Sequence, residues 1–355
     1  MATIYVRGHF DNFNSYGILA TSLVEGLLAN GFSVRCIPVS GTDFRDKEWR
    51  AIKHPVISPL QVSSDVKPPW ELCIMSPHTA MLSGGSMSDR VVRLTMFESP
   101  RLDKRWINFE NTCKAMILPC EGNVVGFQAC GVHIPMYTVP LGYDDSIYKY
   151  YPMETGGKCV FGIGGRIHPI TDKRKGAAAA VDLFRRAFPN EQDVELQVKT
   201  MNCDPLVVDG TVDSRVRVIN ELYSKEQLHE WYKGLTAYLS LSRSEGWGLM
   251  QHEAMVTGRP VISTRFLGLK EFVVPECMYE VGYDTEEAKI HPDGFRPGVW
   301  SRPIEDDVIR AMREIYCNRE KARQKGMLAS KLVRGYTWSH AASKVINVLK
   351  DLKLV

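Results

Sequence analysis

Short apolar stretches alternate with amphipathic ones along most of the chain. The first, ATIYVRG, is apolar and β-branched and predicts a strand, and the polar loop HFDNFNSYG follows it. ILATSLVEGLLANG has apolar residues at helical spacing and a glycine at its end, which predicts a helix. Further strands are predicted at FSVRCIPV, ELCIMS, RVVRLTMF, KAMILPC and MYTVPLG. Strands that alternate with helices are typical of a doubly wound parallel sheet.

A second series of the same kind follows a polar connector, YDDSIYKYYPMETGGK. The strands KCVFGIGG, VELQVKTM, AYLSLS and RPVIST alternate with the helices KGAAAAVDLFRRAF, SKEQLHEWYKG and GLMQHEAMVTG, and the pattern from residue 305 onward is mostly helical. The sequence therefore predicts an α/β protein of two Rossmann-like domains, residues 1–150 and residues 151–337.

Composition excludes several classes of protein. A chain of 355 residues with 44% hydrophobic and 24% charged residues is typical of a globular protein with two domains and a cleft between them. The 44 Lys and Arg against 41 Asp and Glu provide no general attraction for nucleic acid, so we predict no nucleic acid partner. The nine cysteines are odd in number and form no C-x-x-C pair, which argues against a zinc site and against a disulfide framework.

The cellular compartment is predicted from missing signals. The start, MATIYVRGHF, does not have the basic and then apolar profile of a signal peptide, and the sequence contains neither a membrane-spanning apolar run nor an N-x-[ST] site. We therefore expect a reducing, cytoplasmic environment. The stretch from Arg310 to Arg334 carries eight Lys or Arg and two Glu. It is either a solvated helical face or a face that docks on an anionic membrane, so peripheral membrane contact stays open.

The string SRSEGWGLMQHEAMVTGRPVIST holds the most informative candidate chemistry. It places Glu245 just after a predicted strand, Gly246 and Gly248 in the turn, and Glu253 in the following helix. A glycine-rich turn lets a ligand approach the backbone closely, and the start of a helix favours a phosphate group. Ionised carboxylates accept hydrogen bonds from hydroxyl groups. The pattern indicates a ligand in which sugars flank a phosphate.

This string resembles the Glu-x7-Glu signature of retaining nucleotide-sugar glycosyltransferases of the GT-B fold, in particular family 4. IGGRIHPITDKRKGAAAAVDLFRRAF resembles the family's strand-Gly-Arg and Lys-Gly-helix segment. SYGILATSLVEGLLANGFSV is similar to the amino-terminal glycine loop and helix, VPLGYDDSIY to the P-x-G-x-D connector, and YTWSHAASKVINVLK to the terminal helix. The resemblance implies two Rossmann-like domains that face each other across a cleft, with the last helix, residues 338–355, packed on the first domain.

The resemblance also implies a role for each matching residue. Glu245 would contact hydroxyls of the transferred sugar and Glu253 the ribose, while Arg166 and Lys175 would hold the donor diphosphate and stabilise its growing negative charge. The neighbours Lys173 and Arg174 leave the lysine assignment open. Because fixed cations supply the charge, no metal and no cofactor are expected beside a UDP- or GDP-linked hexose donor. The remaining donor-binding candidates are Gly246, Trp247, Gly248, Leu249, Gly165 and Gly17.

Polar residues that follow predicted strands in the first domain are the candidates for the acceptor side, since ligands of open α/β sheets bind there. Family members often carry a His after the strand equivalent to RLTMF, whereas this chain has Glu98, and His78 after the preceding strand is the alternative. The group that faces the acceptor therefore stays open. The acceptor-side candidates are Asp11, Asn14, Tyr16, His78 and Glu98.

These observations predict a metal-independent, retaining glycosyltransferase that transfers a hexose to a hydroxyl of a glycan or another acceptor. A non-catalytic nucleotide-sugar or glycan-binding protein and a GT-B-fold epimerase, which would act on the donor without an acceptor, are the alternatives. Binding of NAD is disfavoured because the dinucleotide fingerprint needs a third glycine where FGIGGR is followed by Ile167.

Overall fold

The computed structural model describes residues 3–10, 14–39, 54–82, 88–165, 167, 173–200, 213–288 and 298–355. The chain divides into two compact units: unit 1 comprises Met1–Asp144 and Tyr336–Val355, and unit 2 comprises Asp145–Gly335. Each unit has its own parallel six-stranded sheet with helices connecting the strands. The prediction of an α/β protein with two doubly wound parallel sheets is therefore confirmed.

The amino-terminal segment of unit 1 alternates strands and helices. Its strands are β1 (Thr3–Gly8), β2 (Ser33–Pro38), β3 (Glu71–Ile74), β4 (Val91–Leu94), β5 (Ala115–Leu118) and β6 (Met136–Thr138). Its helices are α1 (Ser15–Ala29), α2 (Pro77–Leu82), α3 (Lys104–Glu110) and α4 (Glu121–Ala129), with a short 3₁₀ helix at Ser58–Leu60. The strand order in space is β2-β1-β3-β4-β5-β6.

Unit 2 has the same alternation of strands and helices and, in addition, an antiparallel hairpin. Its strands are β7 (Cys159–Gly164), β8 (Val194–Thr200), β9 (Val216–Asn220), β10 (Ala237–Leu239), β11 (Val261–Ser263) and β12 (Met278–Glu280), and the hairpin is β13 (Tyr283–Glu287) with β14 (Val299–Pro303). Its helices are α5 (Ala177–Ala187), α6 (Lys225–Lys233), α7 (Leu249–Val256), α8 (Glu305–Cys317) and α9 (Arg319–Val333), with a 3₁₀ helix at Leu267–Glu271. The six-stranded sheet has the order β12-β11-β10-β7-β8-β9.

Helix α10 (Trp338–Asp351) belongs to unit 1 and packs on α1. The two helices approach closely, because a Cβ atom built on Gly26 would lie only 2.6 Å from Cβ of Ala342. The segment before α10 is bound to the end of the amino-terminal segment. The amide of Tyr143 donates to the carbonyl of Tyr336, and the amide of Trp338 donates to the carbonyl of Tyr143.

In each sheet the strand order reverses between two neighbouring strands, β1 and β3 in unit 1 and β7 and β10 in unit 2. The loops that leave these strands run to opposite faces of the sheet and open a crevice at its carboxyl edge, where ligands of doubly wound sheets bind. The candidate residues of the sequence follow these strands, except Glu98, which follows the adjacent strand β4, so the topology places most of them at the crevices.

The core of unit 2 forms because α5 buries apolar residues at helical spacing, among them Val181 and Phe184, against the sheet. Phe188 follows the helix, and its ring stacks at 5.7 Å on Phe161 of β7. Each aromatic side chain buried in this way removes a large apolar area from water. This core fixes the position of α5, whose first turn borders the crevice.

The core of unit 1 contains a buried ion pair. Arg93 of β4 donates from Nε to the Glu110 carboxylate at 3.1 Å, and both side chains are completely buried. The same guanidinium donates to Sγ of Cys73 and lies over the Phe109 ring. Burial raises the pKa of Glu110, and the positive charge of Arg93 opposes that shift. The carboxylate thus depends on the arginine for its charged state.

Among the described helices, none combines the length and the apolar character that a bilayer crossing requires. Several basic residues of α8 and α9 are paired with carboxylates on their own surface, as in Arg310 with Asp307 and Arg323 with Glu320. These pairs are typical of a solvated helical face.

Candidate functional site

Two turns at the carboxyl edge of the unit 2 sheet carry the candidate residues. The first leads from β7 to α5 and ends at Gly176, and the second leads from β10 to α7 and ends at Gly248. Each glycine is the N-cap of its helix with a left-handed backbone, at φ +74° and +103° respectively, which favours glycine over other residues. The turns touch, because the amide of Arg243 donates to the carbonyl of Arg174 at 2.9 Å. Two helix starts are thereby brought to one crevice.

The carboxylate of Glu245 is the centre of charge in this crevice. It accepts hydrogen bonds from Nζ of Lys175 at 2.5 Å and from Nη1 of Arg174 at 3.2 Å. Arg174 also donates to the carbonyl of Ser244 at 2.8 Å, which ties the cation to the backbone of the second turn. Glu245 is buried, whereas the two cations keep about a fifth of their side-chain surface exposed. The positive side of the cluster therefore faces outward.

The neighbouring cations determine the charge state of Glu245. Burial by itself raises the pKa of this carboxyl, but the charges of Lys175 and Arg174, with hydrogen bonds from Lys175 and Ser242, lower it to about 2. Glu245 is consequently ionised at any physiological pH. An ionised carboxylate accepts hydrogen bonds and donates none, so this group is suited to bind hydroxyls.

Glu253 lies one turn into α7, with its carboxylate buried at the same end of the helix. Its Oε2 accepts a hydrogen bond from the hydroxyl of Tyr232 at 3.1 Å. Burial, followed by the negative charge of Glu253, raises the pKa of Tyr232, so the phenol stays protonated and remains a donor. Tyr232 thus fixes one oxygen of Glu253.

A second buried tyrosine joins the two strands of the crevice. The hydroxyl of Tyr238 on β10 donates to the carbonyl of Gly164 at 3.2 Å and accepts from the amide of that residue at 3.3 Å. Gly164 ends β7, directly before Gly165, and the stem of Lys175 lies 3.6 Å from the point where a Cβ on Gly165 would stand. These contacts set the spacing between the turns.

The side chain of Trp247 points into the protein core. It is 1% exposed, and its ring packs on Phe272 with the centroids 5.0 Å apart. Gly246 is buried beside it, and Leu249, the first residue of α7, is half-buried. Contact between Trp247 and a ligand in the crevice is therefore limited to the main chain.

In unit 1, the start of α1 is held by Asn14 and Tyr16. The side chain of Asn14 caps α1 by accepting a hydrogen bond from the amide of Gly17 at 2.8 Å. The hydroxyl of Tyr16 donates to the carbonyl of Met96 at 2.6 Å and accepts from its amide at 3.1 Å, which joins α1 to the end of β4. Asn14 and Tyr16 therefore stabilise the start of α1 and its contact with the segment after β4. Gly17 lies buried in the first turn of α1.

His78 and Glu98 follow neighbouring strands of unit 1. His78 lies in α2, after β3, with its ring 5.7 Å from that of Trp106, and Glu98 follows β4. Both are half-buried. Burial and then the charge of Glu98 raise the pKa of Tyr16, which brings Glu98 and Tyr16 into one electrostatic environment.

Two candidates lie outside the described residues: Arg166, expected to hold the diphosphate, and Asp11, expected on the acceptor side. Their roles stay predictions from the sequence.

The structure adds two residues to the predicted site. Arg174, which the sequence offered as an alternative to Lys175, shares Glu245 with that lysine, and Tyr232 holds Glu253. The tandem of basic residues before Gly176 was the signal for Arg174, whereas nothing in the local sequence marks Tyr232.

In the part of the chain that the structure describes, no group of three or more His, Cys, Asp or Glu side chains is arranged to hold a metal ion.

Comparison with known proteins gives a family match and several structural likenesses. Residues 141–345 match the model of the family 4 glycosyltransferases in conflict systems. A search of curated proteins found no match. Sucrose-phosphate synthase from Thermosynechococcus elongatus is similar with a TM-score of 0.71 and 17% identity, and the match covers 99% of both chains.

Two further solved structures are similar over the whole chain. HepE of Anabaena, in complex with UDP and glucose, has a TM-score of 0.68 and 10% identity, over 99% of this chain and all of the other. WaaG, a glycosyltransferase involved in lipopolysaccharide biosynthesis, has a TM-score of 0.67 and 13% identity, over 98% of this chain and 99% of the other. At these identities the likeness establishes the fold.

Proposed function

Because the chain belongs to the family 4 glycosyltransferases in conflict systems and has the GT-B fold, we propose that it transfers a hexose from a UDP- or GDP-linked donor to a hydroxyl group with retention of configuration. The observation that carries this proposal is the convergence of Lys175 and Arg174 on Glu245 between two helix starts. Cations beside helix amino termini suit a diphosphate, and an ionised carboxylate beside them suits the attached sugar.

The donor diphosphate would contact the exposed side of the two cations that neutralise Glu245. Lys175 and Arg174 are fixed in place before the reaction, so they stabilise the charge that grows on the leaving diphosphate without reorganisation. Glu245 would then accept hydrogen bonds from the hexose hydroxyls. Glu253, oriented by Tyr232, would accept hydrogen bonds from the ribose.

In the proposed retaining step, the bond between the anomeric carbon and the leaving phosphate oxygen breaks, and the acceptor oxygen bonds to the anomeric carbon from the same face. The acceptor proton passes to the leaving phosphate oxygen, so the products are the glycoside and a nucleoside diphosphate. Fixed cations carry out the charge stabilisation in this scheme, and metal independence is part of the proposal. The UDP and glucose in the HepE structure support a nucleotide-sugar donor.

The acceptor is proposed to be a glycan or another hydroxyl-bearing molecule. The described candidates for its side of the reaction are His78 and Glu98, which follow adjacent strands of unit 1. The part that WaaG plays in lipopolysaccharide biosynthesis supports a glycan acceptor.

A donor panel tests the proposal. UDP-, GDP- and ADP-sugars are added with EDTA, and thermal stability and nucleoside diphosphate release are measured for wild type, Glu253→Ala and Glu230→Ala, the last an exposed control on α6. We expect one nucleotide class to stabilise the wild type and to release its diphosphate, with both effects weakened in Glu253→Ala alone. Stabilisation without release of the diphosphate would favour a nucleotide-sugar-binding protein, absence of both effects would contradict the proposed donors, and donor conversion without acceptor would favour an epimerase.

The anomeric configuration of the new glycosidic bond, read by NMR in the first product, tests retention. An inverted product contradicts the front-face step and leaves the donor site as proposed.

A further inference from the structure

A buried histidine lies directly behind the turn that carries Glu245. His252 is on α7, one residue before Glu253, and its ring is completely buried. Its side chain faces away from the crevice, between the rings of Trp247 at 5.8 Å and Phe272 at 5.3 Å. The donor chemistry proposed above does not use it.

The imidazole of His252 lies between Trp247 and the end of α9. The indole Nε1 of Trp247 donates to Nδ1 of His252 at 3.4 Å. On the other side of the ring is the main chain of Val333, the last residue of α9, and its influence raises the pKa of His252 against the larger effect of burial. Burial lowers the pKa of His252 to about 3, so the ring is neutral, with one nitrogen that accepts and one that donates. This arrangement selects the tautomer whose Nδ1 accepts the indole proton.

Helix α9, which carries Val333, is held firmly against α7. Ser330 of α9 donates to the carbonyl of Val256 at the end of α7 at 2.8 Å. Gly326 of the same helix lies against Gly258, where a Cβ would collide with the Gly258 carbonyl. Because α7 and α9 are joined at these points, Val333 presents its main chain to His252 from a stable position.

The turn itself has little rigidity of its own. Trp247 stands between two glycines, Gly246 and Gly248, whose backbones are the least restricted of any residue. The turn is held from outside by the 3₁₀ helix, because the amide of Gly268 donates to the carbonyl of Glu245 at 3.0 Å. From inside it is held by the buried side chain of Trp247. The placement of that indole therefore helps to determine where the Glu245 carboxylate lies, together with the contacts from Lys175 and Arg174.

We infer that His252 is a positioning residue: it fixes Trp247, and through Trp247 the glycine turn that presents Glu245 to the donor sugar. As a statement about catalysis, the inference rests on the proposed function. His252 contacts neither substrate nor reacting atoms in this scheme. Loss of the Nδ1 acceptor would leave the indole N–H buried without a partner and release the turn, and small misplacements of a catalytic group cost large factors in rate.

Two substitutions of His252 by amide side chains distinguish this positioning role from a purely structural one. In His252→Asn the side-chain oxygen takes the place of Nδ1 and still accepts from Trp247, whereas in His252→Gln the polar group takes the place of the other nitrogen, toward Val333. Both variants replace the ring by a smaller polar group, so a merely structural role predicts a similar loss in each. We expect kcat/KM for the donor to fall about 10- to 100-fold more in His252→Gln than in His252→Asn.

Trp247→Phe supplies the matched background, because it removes the indole N–H while keeping an aromatic ring. In that background the difference between Asn and Gln should disappear, which a double-mutant cycle measures. Equal kcat/KM values for Asn and Gln in the native background, or a difference that persists in Trp247→Phe, overturn the inference.

Amide hydrogen exchange of residues 244–249 gives a readout that needs no turnover. We expect faster exchange in His252→Gln than in His252→Asn, and equal exchange contradicts the positioning role. Failure of the proposed function would show differently, as a wild-type protein that turns over no nucleotide-sugar at all.

Discussion

At the scale of single residues, the ion pairs of Glu245 have a consequence for catalysis. In Glu245→Gln the two cations remain, but the acceptor for the sugar hydroxyls loses its charge. We expect kcat for sugar transfer to fall by about 10² to 10³, while the affinity for the nucleoside diphosphate changes by less than about threefold, since Lys175 and Arg174 still bind the phosphates. Initial rates and calorimetric titration with the diphosphate measure the two quantities. A variant that loses both together would instead indicate a collapsed site.

The same carboxylate makes stability depend on pH. Its pKa in the folded protein is about 2, below the ordinary value of 4.5, so its contribution to the free energy of unfolding is complete above about pH 4.5 and is lost as the pH falls toward 2. The shift corresponds to at most about 3 kcal/mol. Urea unfolding at pH 5 and pH 3 should therefore show a smaller acid loss for Glu245→Gln than for wild type. Parallel pH profiles for the two proteins would contradict the depressed pKa.

The run Lys173, Arg174 and Lys175 illustrates what the sequence left unresolved at this scale. Three adjacent cations read alike in a sequence, but in the structure Lys175 and Arg174 reach Glu245, whereas Lys173 is exposed. We expect Lys175→Met to lower kcat/KM for the donor by about 10² and Lys173→Met to leave it within about twofold. Both variants lose one positive charge. Measuring both rates at the same salt concentration therefore isolates the effect of where that charge lies.

At the scale of the elements, the glycine start of α7 is required by its backbone. Gly248→Ala would combine a φ of +103° with a Cβ only 2.6 Å from Leu269, whereas Gly157→Ala meets a φ of +71° with nothing within 4 Å of the new Cβ. We expect Gly157→Ala to cost about 1 kcal/mol in the free energy of unfolding and Gly248→Ala to cost more and to lower donor affinity as well. Chemical unfolding with a nucleotide titration checks both, and equal losses would mean that the contact with Leu269 relaxes without cost.

The elements that carry the site could be predicted from sequence because each has a strong periodic pattern. Strands β7 and β10 are apolar, α5 repeats its apolar residues at helical spacing, and Ser224 with Gln227 forms a capping box at the start of α6. The hairpin β13–β14 was missed because YDTEE is polar and mostly exposed. Strands β9 (VRVIN) and β12 (MYE) were also missed.

The supporting contacts of the site were beyond sequence reasoning for a different reason. Tyr232 and Glu253 are 21 residues apart, and Lys175 and Glu245 are 70 apart, so their pairing depends on which strands become neighbours. The Glu-x7-Glu pattern predicted a glycine turn followed by a helix, and the structure has both at these residues. The pattern carried no information on which side chains stand behind them.

At the scale of the whole molecule, the two units have separate cores and separate sources of stability. Arg93→Met would leave Glu110 completely buried without its cation, which costs about 3 to 5 kcal/mol, and the site of this loss is unit 1. We expect calorimetry to show one transition lowered by Arg93→Met and the other raised by the nucleoside diphosphate, which is proposed to bind unit 2. The double variant Arg93→Met with Glu110→Leu should recover most of the loss. A single transition that responds to both changes would show that the units unfold together.

The division of the chain also orders events on the ribosome. Unit 2 is a continuous stretch, Asp145–Gly335, whereas unit 1 needs Tyr336–Val355 to cover α1 with α10. During synthesis, residues 145–335 can therefore emerge and fold while the first 144 residues still expose the face of α1 that Ala342 later meets. Residues made before unit 2 are thus completed by residues made after it, so a premature stop after residue 335 would release an intact unit 2 joined to an unfinished unit 1.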